Sequence, residues 1–187
     1  MLASIIIPTY QRPHALRQCL YGVLSCKGIE QVEIIVVNGC DSDQANLDEL
    51  IKTVNLCIQL IHEPQLGVSH RRNVGAATAS GEIVLFLDDD VIPQPQWLQE
   101  ILEVYKCNPK AMCVGGKTIL GTVSALSIPR DLAESFAAYH FPSETICVLP
   151  FGKHTTEGNI SFRRDLFTRI GGFPIDYGPQ QHKFFSA

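Results

Sequence analysis

The sequence predicts a doubly wound α/β domain, a mostly parallel sheet with helices on both faces, and three observations carry that prediction. Short apolar runs recur at 4–7, 33–37, 57–61 and 83–87 with little polar alternation, as expected of strands covered on both sides. Segments with apolar residues at helical spacing separate them. The run Ile83–Leu87 passes directly into Asp88, Asp89 and Asp90, so burial ends where charge begins. In an open α/β sheet that boundary, the carboxyl end of a strand, is where ligands bind.

The elements follow in order. Residues 4–7 form a first strand stopped by Pro8, and the loop Thr9, Tyr10, Gln11 and Arg12 leads to Pro13 at a first helical position. Leu16, Leu20, Val23 and Leu24 define an amphipathic helix ending near Lys27 and Gly28. Residues 33–37 form a second strand. Asn38 to Asp43 is a polar turn with capping residues for a helix through Leu47, Leu50 and Ile51. A third strand at 57–61 precedes a small-residue helix at 67–80, which Gly81 stops before the strand at 83–87. A helix over 96–107 carries Trp97, Ile101, Leu102 and Tyr105, and a strand near 112–114 follows. Residues 117–150 read as a long excursion over the site with one helical piece at 131–139. Residues 158–164 return as a strand, and 165–170 form a short capped helix closed by Gly171 and Gly172.

One domain accounts for 187 residues that are 45% hydrophobic and 18% charged. A net charge of -4 with scattered Lys and Arg argues against a nucleic-acid partner. No apolar run approaches the roughly 18 residues of a membrane span, and the start lacks the basic region of a signal peptide, so a cytoplasmic protein is expected, with room for peripheral association at the inner membrane face. Seven dispersed cysteines without Cys-x-x-Cys pairs read as small buried hydrophobes in a reducing compartment rather than zinc ligands.

Three adjacent carboxylates repel one another, and a divalent cation is a natural compensation. Carboxylate oxygens are hard ligands for Mg2+ or Mn2+, and an ion held by one or two of them keeps positions open for substrate phosphates. The competing reading is that the acids cap the helix announced by Pro93 and Pro95.

Taken together, SIIIPTYQR (4–12), GVSHRRNVG (67–75), ASGEIVLFLDDD (79–90), GNISFRR (158–164) and IGGF (170–173) resemble the family 2 glycosyltransferases, inverting enzymes of the type-A nucleotide-diphospho-sugar fold. The resemblance spans residues 2 to about 178. It implies a nucleotide-sugar-binding half at about 1–115 and an acceptor-side half at about 116–187. It implies transfer of a sugar from a nucleotide-diphospho-sugar, UDP-linked in most of the family, to a glycan or lipid-linked hydroxyl. By the same resemblance Pro8, Thr9, Tyr10 and Arg12 lie along the donor nucleotide, Arg72 faces the diphosphate and Asn73 is a positioning group. Asp88 and Asp89 lie on the donor, Asp88 and Asp90 flank the metal, Mn2+ or Mg2+, and Gly158 and Asn159 lie on the acceptor side. His70 and Arg71 read as solvated helix residues.

Two departures from the family pattern stand out. Asn38 follows the second strand where the family carries an Asp that accepts a hydrogen bond from the base, so base preference is open, with Asp41 as a replacement. An inverting transfer also needs a general base, which the family supplies as a Glu-Asp or Asp pair after the Gly-Gly-Phe segment. No such pair follows Phe173, neither Asp176 nor His182 is assigned the role, and the catalytic base is left unknown. The acceptor-side half is therefore expected to be incomplete at its C-terminus, with apolar surface exposed around Phe173, Phe184 and Phe185. An inactive donor-binding module is the alternative to an active transferase. A nucleotidyltransferase or a dinucleotide-binding domain would need a Gly-rich loop after the first strand, and residues 8–12 contain no glycine.

Overall fold

A computed structural model describes residues 2–41, 44–53, 58–119, 146–149 and 155–176. The predicted helix at 131–139, Cys57, Phe184, Phe185 and His182 lie outside them. The elements are β1 (Ala3–Thr9), α1 (Pro13–Leu24), β2 (Val32–Asn38), α2 (Gln44–Thr53), β3 (Ile58–His62), α3 (Val68–Thr78), β4 (Ile83–Leu87), α4 (Trp97–Cys107), β5 (Cys113–Gly115), β6 (Asn159–Arg163) and α5 (Arg164–Arg169). They build one six-stranded sheet of order β3-β2-β1-β4-β6-β5. β1 pairs in parallel with β2 and β4, and β2 in parallel with β3. β6 runs antiparallel to both β4 and β5, making the sheet mixed but mostly parallel.

The apolar runs lack alternation because each face of the sheet has its own helical cover. Ile5, Ile7, Ile34, Val36, Leu85 and Leu87 point to a core shared with Leu16 and Leu20 of α1, Leu47 and Leu50 of α2, and Leu98, Ile101 and Tyr105 of α4. Their neighbours in sequence, Ile6, Ile35, Val37, Val84 and Phe86, point the other way, against Ala76 of α3, Ala79 and Phe167 of α5. The chain steps outward from β1 to β3 and then returns with β4 on the far side of β1. The strand order reverses between β1 and β4, the switch point at which a crevice opens.

Several expectations are corrected. Pro8 does not stop β1: it pairs with Val37 and the strand continues to Thr9. Pairing of β1 with β4 has already ended at Ile6, so Pro8 sits where β1 has a neighbour on one side only, an edge-like place that tolerates proline. The three acids do not cap α4, which starts only at Trp97 and has no side-chain cap. Asp165 lies in the first turn of α5 and makes no cap bond; the helix follows directly from β6, with the extended Arg163 at its N-cap. The cysteines divide: Cys19, Cys26 and Cys40 are buried, whereas Cys107, Cys113 and Cys147 are exposed. Phe173 is not bare surface, because its ring centroid lies 4.9 Å from that of Phe86 and 5.3 Å from that of Phe167.

Candidate functional site

The carboxyl ends of β1 and β4 place Thr9 beside the acidic triplet. Thr9 is buried, and its hydroxyl donates to Asp89 Oδ2 at 2.7 Å. Arg12, at the start of α1, reaches back with Nη1 to Asp89 Oδ1 at 3.3 Å and Asp90 Oδ2 at 2.9 Å. Asp89 is therefore an internal strut with both oxygens engaged. Burial pushes its carboxyl above the ordinary carboxylate range, and the Thr9 hydrogen bond and the Arg12 charge pull partly against that shift.

Asp88 faces the other way. Arg72, only 3% exposed at its side chain, donates Nη2 to Asp88 Oδ1 and Nη1 to Glu157, each at 2.7 Å. The Asp88 backbone N–H donates to the Gly158 carbonyl. A Cβ at Gly158 would lie 2.3 Å from Asp88 Oδ2, so only glycine leaves that oxygen its room. Asp88 Oδ2 and Asp90 Oδ1 make no hydrogen bond among the described residues, and their side chains are 37% and 58% exposed. Two hard oxygens without a hydrogen bond, on partly exposed side chains at the switch point, fit a divalent ion that keeps positions for phosphate. Among the described residues no three His, Cys, Asp or Glu side chains converge as a closed metal cage.

The remaining predicted residues have clear places. Asn38 is fully buried, with Nδ2 donating to the Cys40 carbonyl and Oδ1 accepting from the Cys40 N–H, so its amide closes the turn after β2. Asn73 makes a paired contact with the backbone of Phe173, accepting from its N–H and donating to its carbonyl, both at 2.8 Å. Gly172 makes room, with a φ of 79° and a position where a Cβ would meet Asn73 Oδ1. Asn159 is buried and accepts from Trp97 Nε1 at 2.8 Å, tying β6 to the start of α4. Pro8 lies within β1 and Tyr10 just beyond it, partly buried.

Arg71 overturns the expectation of a solvated helix residue. It is 8% exposed, its guanidinium carbon lies 5.6 Å from the Tyr10 ring centroid, and it packs on Gly39. Burial lowers its pKa, opposed by the charges of Tyr10, Asp89 and Glu63. Arg71 and Gly75, like Arg72 and Ala76, lie four apart on the buried face of α3. His70 is partly buried near Glu63. Glu157, which sequence reasoning passed over, completes the Arg72 bridge.

No helix among the described residues is long and apolar enough to cross a membrane. Comparison with known proteins agrees with this architecture. The chain is 27% identical over 196 residues to a glucosyl-dolichyl phosphate glucuronosyltransferase of Haloferax volcanii, covering 100% of this chain and 60% of that protein. It is similar in structure to mannosyltransferase PcManGT from Pyrobaculum calidifontis in complex with GDP-Man and Mn2+, with a TM-score of 0.70 and 22% identity over 94% of this chain and 48% of that one. The structure of S. aureus TarS 1-349 in complex with UDP-GlcNAc gives a TM-score of 0.69 at 21% identity, covering 93% of this chain and 49% of the other. The chain thus spans roughly half to three fifths of the length of these proteins. The profile of Glycosyl transferase family 2 matches residues 4–171, nearly the whole chain, and the chain belongs to that family.

Proposed function

We propose that this chain binds a nucleotide-diphospho-sugar and serves transfer of its sugar, with inversion, to a hydroxyl of a glycan or lipid-linked acceptor in polysaccharide assembly. The observation that carries the reading is the division of labour at the switch point. Asp89 is consumed internally by Thr9 and Arg12, while Asp88 Oδ2 and Asp90 Oδ1 carry no hydrogen bond among the described residues. That pattern suits a divalent ion, Mn2+ or Mg2+, shared with a diphosphate. A bound ion there supplies charge stabilisation of the departing nucleoside diphosphate. Arg72 holds Asp88 in place and adds fixed positive charge beside it. The relatives bind GDP-Man with Mn2+ in one structure and UDP-GlcNAc in another, which supports a nucleotide-sugar donor.

In this reading residues 1–115 form the donor half and residues 116–187 the acceptor-side half, where Gly158 and Asn159 shape the wall next to Asp88. The absence of a long apolar helix among the described residues is compatible with a cytoplasmic location and a lipid-linked acceptor met at the inner membrane face. The inactive donor-binding alternative keeps the same pocket without turnover. Calorimetric titration with UDP and then GDP, with and without Mn2+, tests the common core of both readings. Binding that needs both the metal and Asp90, lost in Asp90→Ala, is the expected result; metal-independent binding unaffected by Asp90→Ala refutes it. Release of free sugar or transfer to added acceptor separates the transferase from the inactive module.

A further inference from the structure

We propose that Glu157 is a removable counter-ion for Arg72, which holds the guanidinium beside Asp88 and yields it to the diphosphate of the donor, so that Glu157 tempers donor affinity. This rests on the donor reading above and adds a positioning residue to it. The Arg72 side chain is 3% exposed, and both ends of its guanidinium are taken by carboxylates, Nη2 by Asp88 and Nη1 by Glu157, each at 2.7 Å. Its Nε has no partner among the described residues, and the Phe173 ring stands 5.4 Å from its guanidinium carbon. An anion can use a cation held in this way only by replacing one of the two carboxylates.

The two partners are not held equally. Asp88 follows β4 directly, its backbone N–H donates to the Gly158 carbonyl at 3.2 Å, and Gly158 packs against its carboxylate. Glu157 lies in the turn before β6, its side chain is 66% exposed, and the bond to Arg72 is the one hydrogen bond of its carboxylate among the described residues. An ion pair with one partner in solvent is screened and weakly held, so Glu157 is the partner that gives way. The local charge favours the exchange. Asp88, Asp89, Asp90 and Glu157 are bridged by Arg12 and Arg72 alone, which leaves a surplus of negative charge that a divalent ion offsets. A cation on Asp88 draws that carboxylate from Arg72 and leaves Glu157 as the main counter-charge of the guanidinium. A diphosphate carried by the same cation then repels Glu157 and competes with it for Nη1, for which a phosphate oxygen is at least as good an acceptor.

The test is calorimetric titration of the full chain in saturating Mn2+ with UDP, or with GDP where the parent binds that nucleotide instead, and with the matching monophosphate. The chains are the parent, Glu157→Gln, Glu157→Ala and Glu157→Asp. Glu157→Gln keeps the shape of the side chain and removes its charge. It should bind the diphosphate about three- to tenfold more tightly than the parent and the monophosphate within about twofold, and the gain should shrink as added salt screens the charges. Glu157→Ala should show the same preference for the diphosphate, and Glu157→Asp, which keeps the charge, should stay within about twofold of the parent. A purely structural bridge predicts the opposite sign, because losing it would leave Arg72 misplaced and weaken binding. Equal or weaker diphosphate binding by both neutral variants therefore overturns the proposal. So does a gain of equal size for diphosphate and monophosphate, or a gain in Glu157→Asp as large as in Glu157→Gln. A parent that binds neither nucleotide refutes the donor reading itself, whereas a parent that binds, with neutral variants that bind no tighter, refutes this inference alone.

Discussion

Asn73→Ala isolates the contact between α3 and the Gly-Gly-Phe segment. Asn73 makes two hydrogen bonds to the backbone of Phe173, both at 2.8 Å and across 100 residues of sequence. At about 1 kcal/mol net each, and with Phe173 left partly buried and partly able to find water, removal should cost about 2 kcal/mol. For a chain of this size that corresponds to a fall of about 4–8 °C in Tm. Asn73→Asp still accepts from the Phe173 N–H but sets a carboxylate against the Phe173 carbonyl, so it should destabilise at least as much as alanine. Thermal denaturation of parent, Asn73→Ala and Asn73→Asp, with nucleotide titration of each folded variant, provides the assay. Nucleotide affinity should change little, because the side-chain bonds of Asn73 go to Phe173 and not to the carboxylates. Full stability with lost nucleotide binding would refute the reasoning and return Asn73 to the donor site.

Three further outcomes follow from the geometry. Gly158→Ala should cost about 1–3 kcal/mol by overpacking, since its Cβ would lie 2.3 Å from Asp88 Oδ2, and should weaken Mn2+-dependent nucleotide binding about tenfold or more; parent-like binding in calorimetry would contradict the placement. The carboxyl of Asp89 is raised above its ordinary 3.8 by burial, so its ionised form costs stability at neutral pH, and the cost is relieved as pH falls through the folded value. Asp89→Asn should then be at least as stable as the parent near neutrality, with the difference narrowing on acidification; a difference that widens as pH falls in urea titrations would reverse the sign. Trp97→Phe removes the bond to Asn159 and leaves a buried acceptor unmatched, an expected loss of about 1–2 kcal/mol read from the urea midpoint, against no change if water replaces the indole.

The fold was legible because its signal is local. Ile83–Leu87 reads as a buried strand from composition alone, and the structure returns the same bounds. The antiparallel direction of β6 was not read: its segment NISFR alternates polar and apolar residues, a cue too weak over five residues to set a strand's direction. In the site, the acidic triplet at a strand's carboxyl end was readable from burial and charge. The roles within it were not, since they depend on contacts across 77 to 85 residues, such as Arg12 with Asp89 and Arg72 with Glu157. Arg71 was missed for a different reason. A charged residue on the apolar stripe of a helix lowers the very periodicity by which that stripe is found, so burial of the arginine hides the face it belongs to.

The adjacent pair Arg72 and Asn73 gains its meaning from divergence. Consecutive helical residues point about 100° apart, so two neighbours can grip two different structures. Arg72 turns toward Asp88 and Glu157, while its guanidinium carbon stands 5.4 Å from the centroid of the Phe173 ring; Asn73 takes the Phe173 backbone. The same turn of α3 therefore fixes Asp88 at the end of β4 and the start of the segment that leaves the sheet after α5. Charge drawn from Asp88 toward a bound cation would shift the balance of the Arg72 bridge toward Glu157. Asn73→Ala would remove the backbone grip on Phe173 while leaving the Arg72 contacts with Asp88 and Glu157 in place.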